Sequence, residues 1–144
     1  MDTNSTSQHI SQKFDQEMES LRNKVLKMGG LVEQQISGAI TALQDTNAHA
    51  AEKIIHKDHK VNAMEVTIDE ACTQILARRQ PAASDLRMVI AVIKTITDLE
   101  RIGDRLKKLL KWPYVSQKKI LTSVVAMQAY IIWAIRFNVW YMMF

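Results

Sequence analysis

The sequence predicts an all-α protein, an antiparallel three-helix bundle, on three observations. Only four Gly and two Pro occur in 144 residues, so turns are few and elements long. Apolar residues recur at steps of three and four along most of the chain. Strong breaking signals fall at Asp45-Thr46-Asn47 and at Gln80-Pro81, leaving three long segments whose short connections permit little besides up-down-up packing.

The first segment carries a seam at Ile10, Phe14, Met18, Leu21, Val25, Met28, Val32, Ile36, Ala39 and Leu43. Residues 1–8, rich in Ser and Thr, form a flexible N-terminus. Gly29-Gly30 sits mid-helix, where each Gly costs about 1 kcal/mol relative to Ala, and implies close backbone approach or a bend, with a helix-turn-helix break as the alternative. Asn47 supplies N-cap chemistry for the second helix. That helix runs along Ile54, Asp58, Val61, Glu65, Ile68, Cys72 and Ile75 and stops near Arg78-Arg79, because Pro81 restricts the residue before it and has no N–H to donate. Ala82-Ala83-Ser84-Asp85 opens the third, with a seam at Leu86, Val89 or Ile90, Ile93, Ile96, Glu100 and Asp104.

Charge divides the chain. All 15 Asp and Glu lie at or before Asp104, whereas the seven basic residues from Arg105 onward have no acid among them, and eight of nine aromatics fall in that last part. The divisions are therefore 1–8, a bundle over 9–106, and a basic, aromatic-rich tail over 107–144 that forms an additional apolar helix or a disordered segment. The net charge of +4 is no nucleic-acid signature, because it arises from this segregation. Ile120 to Ile135 would span about 24 Å as a helix, short of a hydrocarbon core of about 30 Å. Membrane contact is thus indirect unless the tail inserts; otherwise the tail covers the bundle, mediates oligomers or aggregates. A lone Cys72 and no signal-peptide pattern point to the cytoplasm.

Two acidic pairs stand out. Glu65 and Asp69, and again Glu100 and Asp104, are four residues apart on one helix face, where like charges repel by a few tenths of a kcal/mol. Glu65, Asp69 and Glu100 have no basic residue three or four positions away, whereas Asp104 has Arg101, Lys107 and Lys108. Buried carboxylates are costly unless paired or bound to metal. Four of them facing inward from two helices suit Mg, Mn, Fe or Zn. The competing reading is a polar groove holding basic residues such as Arg78, Arg79, Arg87 or Arg101. His56 and His59 read as solvated among Lys53, Lys57 and Lys60. No nucleophile with its base, phosphate loop or Cys/His zinc pattern is present, so no catalytic residue is assigned and an enzyme is not expected.

Four stretches in order, Met28 to Gln35, Val61 to Cys72, Arg79 to Arg87 and Leu99 to Asp104, resemble the PhoU family of phosphate-uptake regulators, and the likeness runs from about His9 to Asp104. The resemblance implies two tandem three-helix bundles, of which this chain matches the first, and metal ligation by Glu65, Asp69, Glu100 and Asp104. It further implies a cytoplasmic regulator linking a phosphate ABC transporter to a sensor histidine kinase, with a homo-oligomer as the working form. From Lys107 the likeness ends, which suggests a truncated gene and an impaired function. The alternative is an oligomerising metal-binding helical protein without signalling activity.

Overall fold

Every described segment of the chain is helical. A computed structural model describes residues 3–111 and, beyond them, residues 122, 125, 126, 129, 130 and 133, with side chains from Gln12 onward. The helices are α1 (Thr3–Gln44), α2 (Ala48–Lys57), α3 (His59–Arg79) and α4 (Ala83–Leu110). Helices α1, α3 and α4 pack on one another in antiparallel sequence, and α2 lies against α1 and α4 at the end remote from Pro81. The expected bundle is present. The described tail residues are helical, and the rest of the tail lies outside the described residues.

Helix α1 follows its apolar period. Met18, Leu21, Val25, Met28, Val32, Ile36 and Ala39 are all buried, with Phe14 and Leu43 packed partly against them. Each large member, once buried, contributes about 1.5–3 kcal/mol. The helix starts at Thr3 and continues through Gly29-Gly30 without a turn. A Cβ added at Gly30 would meet nothing within 4 Å, so nothing approaches the backbone closely there. Gly30→Ala is therefore expected to stabilise the fold by about 0.5–1 kcal/mol, by lowering the unfolded chain's entropy, measurable as a rise in the urea midpoint.

The expected second helix is in fact two. Asn47 caps α2 by accepting a hydrogen bond from the Ala50 N–H at 3.0 Å. At Asp58 the run breaks: its N–H donates to the Ile55 carbonyl at 3.4 Å, a tighter turn, and its own carbonyl restarts the ladder by accepting from Val61 and Asn62. At this junction the Asp58 side chain is 5 % exposed and directed into the bundle toward Lys107 of α4. Past the kink, Val61, Ile68, Cys72 and Ile75 fill the core as their spacing predicts. Burial raises the Cys72 thiol to about 11, so this cysteine is an inert apolar residue.

The turn at Pro81 is closed by Gln80 in the left-handed region (φ 45°) and by Ala82 in extended geometry. A fork joins it to α1: Arg79 Nε and Nη2 donate to the two carboxylate oxygens of Glu17 at 3.1 and 2.9 Å. That contact holds the Glu17 carboxyl below its ordinary range, with help from Lys13 and Arg78. A depressed folded value means the unfolded chain binds the proton more readily, so the contribution is present above the unfolded value and lost as pH falls through the folded one. Melting temperature followed from neutral pH to about pH 3 should show a shallower acid decline for Glu17→Gln than for the unaltered chain.

On α4 the buried stripe differs from the expected one. Met88, Val89, Val92, Ile96, Leu99, Ile102 and Leu106 form the core face, whereas Leu86 and Ile90 are about two-fifths exposed and Ile93 is only partly covered. The helix carries two apolar stripes, and the buried one is a step aside from the acids. Glu100 and Asp104 consequently lie at the border of the core, half-buried.

Candidate functional site

Three of the four predicted carboxylates come together. Glu65 on α3 and Glu100 and Asp104 on α4 are half-buried, while Asp69 is exposed. The Glu100 carboxyl is pushed above its ordinary range, first by burial and then by the neighbouring charges of Asp104, Glu65 and Asp58. Among the described residues no ion pair reaches Glu65, Asp69 or Glu100. Nor does any set of three His, Cys, Asp or Glu side chains there close into a metal-sized cluster. The acids form an open, under-neutralised face.

Asp58 and Lys107, both absent from the predicted set, organise it. Lys107 Nζ lies 2.5 Å from Asp58 Oδ2 and 3.0 Å from Asp104 Oδ1, tying the kink to α4. These two acids raise the Lys107 ammonium above its usual value, Asp58 first, and Lys107 in return holds the Asp104 carboxyl down. The local cations of Asp104 thus matter as their spacing suggested. The groove reading named other bases: Arg79 instead pairs with Glu17, and Arg101 reaches only Asp98, at 4.0 Å.

Gly103 makes room for this arrangement. A Cβ there would stand 2.8 Å from Asp58 Oδ1 and 3.5 Å from Gln35 Oε1, so two polar side chains from different elements meet over a bare stretch of α4 backbone. Besides Asp58 Oδ2, which faces the Lys107 ammonium, Asp58 Oδ1 and Gln35 Oε1 here, and Asn62 Oδ1 on α3, are buried without a hydrogen-bond partner. Buried oxygens of this kind call for a donor, a water or a cation. Asp58 was visible in the sequence as an acid on an apolar seam; Gln35 and Asn62 carried no comparable signal.

A family model described as the PhoU domain matches residues 25–112. The chain belongs to the PhoU family. It is 54 % identical over 111 residues to the phosphate-specific transport system accessory protein PhoU of Serratia marcescens, a match covering 77 % of this chain and 46 % of that one. The Escherichia coli K12 PhoU is 51 % identical over the same shares. The crystal structure of PhoU from Pseudomonas aeruginosa superposes with a TM-score of 0.68 at 41 % identity, covering 81 % of this chain and 61 % of that one. The chain spans about half the length of the curated relatives it matches. The matched range contains every residue of the acidic face, so this face belongs to the PhoU domain and not to the tail.

Proposed function

We propose that this chain acts as a PhoU-type negative regulator of phosphate uptake and of the phosphate-starvation response. The observation that carries this reading is the match over 77 % of the chain to accessory proteins of phosphate-specific transport, joined to a fold that follows a solved PhoU. A phosphate ABC transporter and a sensor histidine kinase are the partners this role requires, and self-association is the state that would cover Leu26, Val66, Leu86 and Ile90, the large apolar side chains left exposed on the bundle. The test is repression of alkaline phosphatase in phosphate-replete cells lacking their full-length regulator. Restored repression supports the role. Continued derepression, with the chain present at normal levels, sinks it in favour of a metal-binding helical protein without signalling activity.

The acidic face is the proposed metal centre, with Glu65, Glu100 and Asp104 as ligands and Asp69 one turn further out. The residues fit a hard or borderline divalent ion in their chemistry: all donors are oxygen, and Glu100 sits among like charges that a cation would relieve. A bound ion would supply charge neutralisation that fixes α3 against α4, while Lys107 and Asp58 set the level at which the two helices meet. Metal content after loading with Mn, Zn, Fe or Mg should fall in Glu65→Ala and Asp104→Ala, accompanied by loss of the metal-dependent rise in melting temperature. Unchanged content in both variants removes the site.

A further inference from the structure

We infer that the end of the bundle formed by α2, the kink and the last turns of α4 is a docking surface for anionic lipid headgroups. The Asp58 to Lys107 contact places these segments at one level. Residues 48–60 and 101–111 together hold eight Lys and Arg against three acids, and two of those acids, Asp58 and Asp104, are already engaged by Lys107. In the rest of the bundle, residues 12–47 and 61–100, the balance is reversed, with eight basic residues and eleven acids. Charge is thus polarised along the molecule.

The basic end is also exposed and uncommitted. Lys53, Lys57, Lys60, Arg105, Lys108 and Lys111 are all exposed, and among the described residues none of them makes an ion pair. Lys53 and Lys57 are four apart on α2, Lys60 follows just past the break on α3, and Arg105, Lys108 and Lys111 follow steps of three along the end of α4. Each basic residue near an anionic leaflet adds to the attraction, which falls off within a Debye length.

The residues beyond α4 favour lipid over a nucleic acid or an acidic protein. Val125, Tyr130 and Trp133 are 52, 59 and 60 % exposed, and the two rings lie with centroids 6.3 Å apart. The sequence from Arg105 to Phe144 contains seven basic residues, no acid and eight aromatics. Aromatic side chains with a polar tip settle at the headgroup level of a bilayer, while a polyanion would leave this apolar continuation facing water. No helix among the described residues is long and apolar enough to cross a membrane, and the basic residues themselves lie on the exposed face of the bundle.

The test is co-sedimentation of the full chain with phosphatidylcholine vesicles, with and without about one-third phosphatidylglycerol, at about 0.1 and 0.5 M salt. Binding should require phosphatidylglycerol and weaken at high salt. A variant combining Lys57→Glu, Lys60→Glu, Lys108→Glu and Lys111→Glu should lose at least about tenfold in affinity. The counterpart Lys13→Glu, Lys24→Glu, Arg78→Glu and Arg87→Glu, with the same net charge but its changes outside this end, should retain most of it; circular dichroism checks that both are folded. Equal loss in the two variants, equal binding to both vesicle types, no binding at all, or tighter capture by duplex DNA at the same salt overturns the assignment. If Tyr130→Ala with Trp133→Ala abolishes binding while the first variant leaves it intact, the tail alone is responsible and the basic end is excluded.

Discussion

Lys107→Met is expected to lower folding stability by about 3 kcal/mol, the lower end of the cost of stranding one partner of a buried ion pair. The reason lies with Asp58, whose side chain is 5 % exposed while that of Lys107 is 27 % exposed. Removing the ammonium leaves a carboxylate in the core, and no hydrogen bond to either of its oxygens replaces the lost cation. Adding Asp58→Asn in the same chain should recover most of the loss, since an amide can donate where the carboxylate could only accept. Chemical denaturation of the two single variants and the double variant measures the coupling. A Lys107→Met chain as stable as the original would mean that Asp58 had found water.

The second large effect concerns Gly103. Gly103→Ala places a methyl group 2.8 Å from Asp58 Oδ1, and Asp58 has little freedom to retreat because Lys107 and the kink hold it. The expected net cost is about 1–3 kcal/mol, typical of overpacking a close-packed interior, even though Ala by itself favours a helix by about 1 kcal/mol. Those opposed contributions can be separated. In an Asp58→Ala background the same substitution should be neutral or stabilising, because the clash is gone and the propensity gain remains. Persistent destabilisation in that background would place the obstruction elsewhere, with Gln35 the next nearest group.

How far the molecule was legible in its sequence differs from helix to helix. In α1 a single apolar period admits one solution, and the buried residues follow it. In α4 Leu86, Ile90 and Ile93 form a second apolar stripe beside the true one, and reading the acids as seam positions favoured the wrong stripe; the core is instead completed by Leu99, Ile102 and Leu106. Glu65 and Glu100 were recognisable because neither has a cation at helical spacing, and Asp104, which has three, by its place four residues after Glu100. The Asp58 partner was not, since Lys107 is 49 positions away on another helix and only packing reveals it. The one local clue was Gly103 itself: a glycine inside an otherwise strong helix former signals that something needs the space of its side chain.

Helix α2 contributes no buried residue. Its ten residues are held by the Asn47 cap, by Ile54 resting near Gly38 and by the junction at Asp58. Such a segment belongs to the low-energy end of a protein's local opening spectrum, and its opening would loosen a junction that also fixes the acidic face. Because Lys107 joins Asp58 at that junction to Asp104 on the acidic face, opening of α2 is expected to reach the acids through this one side chain, and amide hydrogen exchange along α2 should rise in Lys107→Met.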